Sequence, residues 1–274
     1  MLQSIERQSG LPLALDPTNA TIRWPESIIV GATSVRTAAE MREYIQNAEA
    51  RPTRDAVYTV YRNVARGEDA ALVRAAGLRY DLTVIPPGAF AAERREFFRT
   101  AGHYHPVKAG TDIAYPEVYE VISGRAYWLL QRPTVGDPSA IEEIYAVEAG
   151  PGEKAVMLPG FGHISVNVHD EPLVMANWIS DEFAYDYEPY RRFHGGGYWL
   201  LAGDDEAIEF ERNGNYHRVP DLKTLHPAEI PAFGLIRSRP LYHLARDLGT
   251  LDFLTNPERH REALALDRCY RLAV

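Results

Sequence analysis

Three histidines and one glutamate are residue types that could hold a metal ion together. His103 and His105 lie two apart in "TAGHYHP", Glu117 follows in "PEVYEV", and His163 comes later in "MLPGFGHISVN". Side chains two apart in a strand point to the same face. Imidazole and carboxylate groups suit iron, manganese, nickel or zinc. A His-x-His pair alone also occurs on solvated strand edges, so the prediction of one divalent metal ion per chain depends on the joint order of all four residues.

Short strand-like segments surround these candidate ligands. The stretches "LRYDLTVIPPG", "EVYEVISGRAYWLL", "EEIYAVEAGPG" and "HISVNVHDEPLVMANWIS" are rich in alternating or β-branched residues, and glycine or proline separates them. Such spacing is typical of an antiparallel sandwich or barrel. A small barrel can bring side chains from several strands together in its interior. The pattern therefore predicts an all-β core over residues 78–220.

The two flanking regions have a different character. Residues 1–30 are punctuated by proline, and "RTAAEMREYIQNAEA" (36–50) favours a helix. A second helix is expected within 53–76, around "AVYTVYRNV". Asn256-Pro257-Glu258 resembles a helix start, with asparagine as the cap and proline at the first position. We therefore predict an N-terminal arm with helices over 1–77, packed on the barrel, and a helical C-terminal extension over 221–274.

Composition excludes some classes of function. The net charge of −9 argues against a nucleic-acid partner, which would need a basic face. A single cysteine, Cys269, excludes an intrachain disulfide and fits a reducing compartment. The N-terminus lacks a basic region followed by an apolar core, and no apolar run approaches the ~20 residues of a membrane helix. We expect a cytoplasmic protein without a membrane partner.

The same segments resemble a known family. "TAGHYH", "PEVYEVISGRAYWLLQ", "EAGPG", "HISVNVHDEPLVMANW" and "RTAAEMREY" are similar to the cupin-type glucose-6-phosphate isomerases, best known from archaea, over roughly residues 30–220. The resemblance implies a cupin-type β-barrel, that is, a double-stranded β-helix or jelly roll, and a homodimer. It also implies a metal-dependent isomerase that interconverts glucose 6-phosphate and fructose 6-phosphate in glycolysis and gluconeogenesis.

The resemblance also implies roles for individual residues. It implies metal ligands at His103, His105, Glu117 and His163, phosphate contacts at Thr83, Thr100 and Gly102, and sugar contacts at Tyr119 and Tyr187. Moving a proton between C1 and C2 suits a carboxylate acting as general acid and base, which makes Glu117 a candidate catalytic residue as well as a ligand. A bound metal could polarise the carbonyl and stabilise an enediolate. A metal-assisted hydride shift stays open as an alternative.

The chain departs from the family pattern in three places. Tyr185 stands where the family has a histidine that is a candidate for opening the sugar ring, so Tyr185 becomes the second candidate catalytic residue. The turn before His163 carries Phe161 in place of a tyrosine. The loop "PVKAGTDIAYP" after His105 is longer than in the family, and we interpret its Lys108, the nearest cation, as a solvated surface residue.

Two other functions fit the same barrel. One is a metal-dependent cupin oxidoreductase, such as a dioxygenase, and the other is a non-catalytic sugar-binding cupin. Thr83 and Thr100 favour the isomerase, because a dioxygenase has no need of a phosphate cradle. The complete ligand set argues against a pure binding module.

Overall fold

The computed structural model describes residues 1–91, 95–203 and 207–273 of the 274-residue chain. The N-terminal strands are β1 (Gln3–Ser4), β2 (Ala14–Asp16), β3 (Thr21–Arg23), β4 (Ile28–Ile29), β5 (Ala32–Thr37), β6 (Arg51–Pro52), β7 (Ala56–Arg62) and β8 (Ala65–Arg66). The central strands are β9 (Leu78–Ile85), β10 (Ala89–Ala91), β11 (Arg95–Phe97), β12 (Glu117–Ser123), β13 (Ala126–Thr134), β14 (Asp137–Ala149), β15 (Lys154–Met157), β16 (Gly162–Val166), β17 (Leu173–Ser180), β18 (Tyr198–Ala202) and β19 (Ile208–Arg212). Two further strands, β20 (Lys223–Pro227) and β21 (Tyr270–Leu272), follow in the C-terminal region.

The described helices are short. They are α1 (Glu6–Ser9), α2 (Ala38–Met41), α3 (Ala70–Ala75), α4 (Glu188–Arg192), α5 (Asp252–Thr255) and α6 (Leu266–Cys269), with 3₁₀ segments at Pro231–Phe233, Leu241–Arg246, Leu248–Leu251 and Pro257–Arg259. None of these helices has the length and hydrophobicity needed to cross a bilayer.

Two large sheets form the barrel. The first has six strands in the order β15-β12-β17-β9-β7-β5, and all of its pairs are antiparallel. The second has five strands in the order β16-β13-β14-β20-β21, with β14 and β20 parallel. The inner faces meet where His163 of β16 comes within 3.3 Å of Glu117 of β12. This arrangement confirms the all-β, cupin-type double-stranded β-helix.

The outer face of the six-stranded sheet is covered by the C-terminal region. The Trp178 ring on β17 lies 4.9 Å from the ring of Tyr80 and 6.2 Å from that of Tyr242. The indole N–H of Trp178 donates to the carbonyl of Leu241 at 2.9 Å. The apolar side of this sheet is therefore buried under the extension, and its polar side faces the barrel interior.

The helix expected within residues 53–76 is wrong over most of that range. "AVYTVYR" forms β7, which pairs with β5 on one side and β9 on the other, and only Ala70–Ala75 is helical. Valine, threonine and tyrosine pack well in a pleated sheet, and pairing on both sides outweighs local helix propensity. The N-terminal region thus contributes two strands to the same sheet as the central strands.

The other predicted helices are shorter than expected. Within 36–50, the α-helix covers only Ala38–Met41, and a capping box between Thr37 and Glu40 begins it. In the C-terminal region, Asn256 makes no side-chain cap, and Pro257 opens only a 3₁₀ turn. These segments follow the surface of the sheets, so packing against the barrel limits their length more than intrinsic propensity does.

Candidate active site

Backbone pairing places two of the candidate ligands side by side. The His103 N–H donates to the His163 carbonyl at 3.2 Å, and the His163 N–H donates back to the His103 carbonyl at 3.1 Å. Their ring centroids lie 4.4 Å apart. His105 follows two residues later, and its ring is 5.1 Å from that of His103. The two-residue spacing brings His103 and His105 together, and the backbone pairing adds His163.

Glu117, the first residue of β12, completes the cluster from the opposite sheet. Its Oε2 atom lies 3.3 Å from Nε2 of His163, 3.4 Å from Nε2 of His105 and 3.8 Å from Nε2 of His103. One ligand atom from each of the four residues lies within 4.8 Å of all the others. The four residues predicted as a metal site thus converge in the barrel interior.

Two neighbouring groups orient these ligands. His105 Nδ1 lies 2.9 Å from the Tyr115 carbonyl, which can only accept a hydrogen bond. A proton therefore sits on Nδ1, and Nε2 is the ring nitrogen that faces Glu117. The Asn177 amide donates to Glu117 Oε1 at 2.6 Å, which leaves Oε2 for the cluster. Sequence reasoning missed Asn177, because its position opposite Tyr119 depends on the register of β12 and β17.

The electrostatics of the cluster fit a bound cation. Burial alone would raise the pKa of Glu117, but contacts from the three imidazoles outweigh it and hold that pKa well below its usual range. Burial lowers the pKa of His103 to about 3 and also lowers the pKa of His163. The imidazoles of His103 and His163 are therefore neutral beside the Glu117 carboxylate.

Several polar atoms of the cluster have no hydrogen-bond partner among the described residues. They are His103 Nε2, His105 Nε2, His163 Nδ1 and Glu117 Oε2, and all four are buried. Buried lone pairs without a partner are costly, and such groups call for an explanation. A divalent cation would satisfy His103 Nε2, His105 Nε2 and Glu117 Oε2 at once, and three nitrogens with one carboxylate are a common ligand set. The residues present fit a metal ion.

A pocket of about 180 Å³ opens beside the cluster. One wall is the inner face of the six-stranded sheet, where alternate residues of five strands point inward. These strands place Tyr119, Asn177 and Asp81 in one cross-strand row, and Thr83 lies opposite Val60. Every predicted substrate-binding residue lines the pocket, as does the candidate catalytic Tyr185: Thr83, Thr100, Gly102, Tyr119, Tyr185 and Tyr187.

The segment after β17 folds over this pocket. Asp186 and Tyr104 exchange two backbone hydrogen bonds of 2.9 and 3.0 Å, and Tyr104 stands between the two histidines of "HYH". Tyr185 is thereby held with its ring 4.0 Å from that of His103, and the Tyr187 ring lies 5.7 Å from His103. Burial raises the pKa of Tyr185 further above its usual value, so this side chain is a neutral phenol.

Gly102 and Thr100 have local geometry that suits a role beside the cluster. Gly102 has φ +79°, and a Cβ there would lie 2.5 Å from Ile164 Cγ1 and 3.1 Å from the His163 carbonyl. Only glycine fits this close approach to β16. The Thr100 hydroxyl accepts from the Ser165 N–H at 3.0 Å, so its own proton is free for a ligand in the pocket.

Lys108 lies outside the pocket, as the sequence suggested, but it is not the cation nearest to the pocket. Lys108 is directed away, to Asn256 Oδ1 at 2.9 Å and to Glu258 Oε1 at 3.1 Å. The guanidinium groups of Arg36 and Arg62 line the pocket instead. No carboxylate in residues 1–91, 95–203 or 207–273 forms an ion pair with Arg36, which lies 5.8 Å from the centroid of the Tyr187 ring.

Sequence reasoning could not have found these two arginines, because both lie in the region expected to be arm and helix. Their inward direction results from the pairing of β5 with β7 and of β7 with β9. The only signal in the sequence was an arginine within each of two short alternating stretches.

Comparison with known proteins identifies the family. Residues 35–218 match the family model described as glucose-6-phosphate isomerase. The chain belongs to the glucose-6-phosphate isomerase family. Membership confirms the resemblance seen in the sequence and the prediction of an isomerase. The arm before residue 35 and the extension after residue 218 lie outside the matched range.

Individual relatives agree with this assignment. The glucose-6-phosphate isomerase of Pyrococcus furiosus is 29% identical over 181 residues, which cover 63% of this chain and 83% of the relative. The enzyme of Thermococcus gammatolerans is 31% identical over 179 residues, covering 62% of this chain and 82% of the relative. Among solved structures, an oxalate oxidase overlaps 50% of this chain and 58% of its own at 17% identity, with a TM-score of 0.35.

Proposed function

We propose that this protein is a metal-dependent aldose–ketose isomerase that interconverts glucose 6-phosphate and fructose 6-phosphate. The observation that carries the proposal is a buried cluster of three imidazoles and one carboxylate that opens into a pocket with hydroxyl and guanidinium groups. The cluster would hold one divalent ion, and the rest of the pocket would hold a phosphorylated sugar. Manganese, iron, nickel and zinc all suit this donor set.

The phosphate end of the substrate would contact Thr83, Thr100 and Gly102. Hydroxyl and backbone N–H groups are suitable phosphate donors. Arg36 and Arg62 add the positive charge that the sequence did not reveal, and a guanidinium group can bind phosphate with two parallel hydrogen bonds. An oxygenase acting on an uncharged substrate would not need these groups.

The reacting end of the sugar would lie against the cluster, beside Tyr119 and Tyr187. A metal bound there would polarise the substrate oxygens near C1 and C2. His103, His105 and His163 would serve as ligands only. Glu117 would be a ligand and the candidate group for moving the proton between C1 and C2, although its low pKa makes it a weak base. Tyr185, next to His103, would be the second proton-transfer group, in the place of the family's histidine.

The remaining features of the protein stay predictions. We propose a homodimer, as expected from the family resemblance, and a cytoplasmic location, as expected from the single cysteine and the composition. The division into an arm over 1–77, a barrel over 78–220 and an extension over 221–274 likewise stays a working description.

A coupled assay on chelator-stripped protein tests the function. It would follow fructose 6-phosphate to glucose 6-phosphate with manganese, iron, nickel or zinc added back singly. We expect turnover to return with at least one metal, and His103→Ala to lose it while keeping the wild-type circular dichroism spectrum. If the stripped protein is fully active, or if metal binds and no sugar phosphate turns over, the proposal is wrong.

A further inference from the structure

Arg79 lies behind the pocket, on the same strand as Asp81 and Thr83, which line it. It lies on β9, and its buried guanidinium group is held on three sides. Nε donates to Asp81 Oδ2 at 2.9 Å, Nη1 donates to Asp181 Oδ1 at 2.8 Å, and Nη2 donates to the Tyr185 hydroxyl oxygen. Because two carboxylates fix the plane of this group, the third contact has a defined direction.

That contact determines how the Tyr185 hydroxyl can be used. A guanidinium group only donates hydrogen bonds and keeps its charge at any pH of interest. The Tyr185 oxygen must therefore accept from Arg79, and its own proton must point to another acceptor. Within the described part of the chain the Tyr185 hydroxyl donates to no residue, although the ring itself is largely buried.

Asp81, which Arg79 also binds, does not take this proton. Asp81 Oδ1 accepts from the Asn63 N–H at 2.9 Å, and Oδ2 accepts from Arg79 at 2.9 Å and from Arg62 Nη1 at 3.4 Å. Both oxygens of Asp81 are thus engaged by donors from three residues. The Tyr185 proton is left for a molecule in the pocket.

From this geometry we propose that Arg79 is a positioning residue that holds the Tyr185 hydroxyl as a hydrogen-bond donor to the C1 or C2 oxygen of the bound sugar phosphate. The inference rests on the proposed function, because it takes the reacting end of the sugar to lie beside the metal cluster. The Tyr185 ring lies 4.0 Å from the ring of His103, and Tyr185 lines the pocket beside that cluster.

The arrangement suits the charge that develops in the reaction. Negative charge grows on the C1 and C2 oxygens as the carbon-bound hydrogen moves, and a donor already in place stabilises it without reorganisation. The positive charge of Arg79 behind the phenol makes its O–H a stronger donor. Removing one such donor typically lowers kcat by about 10²–10³-fold.

The test compares Tyr185→Phe, Arg79→Ala and the double variant in the metal-loaded full chain. We expect Tyr185→Phe to lower kcat by about 10²-fold with KM changed by only a few-fold. Arg79→Ala should have a similar effect, and the double variant should be no slower than the slower single one, because both remove the same donor. Added guanidinium ion should restore part of the Arg79→Ala activity and none of the activity of the double variant.

A second arginine–tyrosine pair, outside the pocket, supplies the control. Arg212 lies 5.6 Å from the centroid of the Tyr198 ring, and the Tyr198 hydroxyl donates to the Pro220 carbonyl at 3.0 Å, away from the pocket. Arg212→Ala and Tyr198→Phe should leave kcat unchanged. Melting temperature and bound metal, measured for every variant, identify any that lost its fold. Tyr185→Phe breaks no ion pair, so it keeps the test valid if Arg79→Ala is unstable.

Two results would overturn the inference in different ways. If the wild type isomerises sugar phosphate while Tyr185→Phe keeps its kcat, or if the two single effects are additive without guanidinium rescue, the inference falls and the proposed function stands. If the metal-loaded wild type shows no turnover, the proposed function falls and takes the inference with it.

Discussion

Two buried glutamates on β12 show how one strand serves two purposes. Glu117 and Glu120 are three residues apart, so their side chains lie on opposite faces of the six-stranded sheet. Glu117 faces three imidazoles and the pocket. Glu120 lies under the C-terminal region, where Lys154 Nζ is 2.7 Å from Oε1 and the Leu241 N–H donates to Oε2 at 2.7 Å. Both carboxylates are almost completely buried.

The two glutamates differ in which groups contact and balance the negative charge of the carboxylate. Glu120 has a cation from its own chain and a backbone donor, so its site is complete. Glu117 has one amide donor on Oε1, and its Oε2 has no hydrogen-bond partner among the described residues. Burial of a carboxylate therefore indicates a structural ion pair on one face and a place for an external cation on the other. The identity of the neighbours separates the two, not the degree of burial.

The largest expected contrast is in metal affinity. Glu117→Gln should weaken divalent-metal binding by more than about 100-fold. This loss exceeds the range seen when a residue that only hydrogen-bonds to a metal ligand is removed. Glu120→Gln should bind metal as the wild type does, because its side chain lies on the other face of the sheet. Isothermal titration calorimetry with manganese measures both. Equal losses of metal affinity in the two variants would contradict the assignment of Glu117, and not Glu120, to the metal site.

The next effect concerns stability. Lys154→Met leaves Glu120 buried without its cation, and removing one partner of a buried ion pair typically costs about 3–5 kcal/mol in the free energy of unfolding. The double variant Glu120→Gln/Lys154→Met should recover most of that loss, since no unpaired charge stays behind. Urea unfolding at pH 8, which is above the Glu120 pKa of about 7 in the wild type, gives these values. A double variant as unstable as the single one would show that Lys154 acts through packing instead.

The smallest expected effect is the contribution of Glu120 to the pH dependence of stability. Burial raises the pKa of Glu120 to about 7, with Lys154 and the Leu241 amide opposing it. The folded state then holds this proton more tightly than the unfolded state, where the glutamate has its ordinary pKa of 4.5. As pH rises from 4.5 to 7, this group should therefore lower stability, by at most about 1.4 kcal/mol per pH unit.

Comparison with Glu120→Gln isolates this contribution, because the variant lacks the titrating group. The stability of the wild type relative to Glu120→Gln should fall as pH rises through this window and level off above it. Urea midpoints collected from pH 4.5 to pH 8 would show the trend. Parallel curves for the two proteins would mean that the lysine fully compensates for the burial of Glu120.

Much of the candidate site could be predicted from local sequence. The spacing of His103 and His105 needs only the period of a strand, and the order of Glu117 and His163 follows the family pattern. The glycine at 102 and the threonines at 83 and 100 came from the same resemblance, and all of them line the pocket. These features can be predicted from the sequence because each depends on a short segment or on a recognisable motif.

Other features could not be predicted, because they depend on contacts between distant segments. β7 was expected to be a helix, and the arginines on β5 and β7 were therefore not considered for the pocket. Asn177 and Asp81 reach the site only through the register of β17 with β12 and β9. A shift of one residue in any of these pairs would turn the same side chains to the outer face.

By itself, the sequence determined the ligand types, their order along the chain, the all-β core and the family. Those properties reside in residue identity and short-range periodicity, which the chain carries before it folds. The tertiary structure decided which charges share the pocket, which glutamate faces the histidine cluster and which an internal lysine, and that the Tyr185 hydroxyl accepts from Arg79. These outcomes depend on strand pairing across tens of residues, because only the folded barrel brings the donors and acceptors within hydrogen-bond distance.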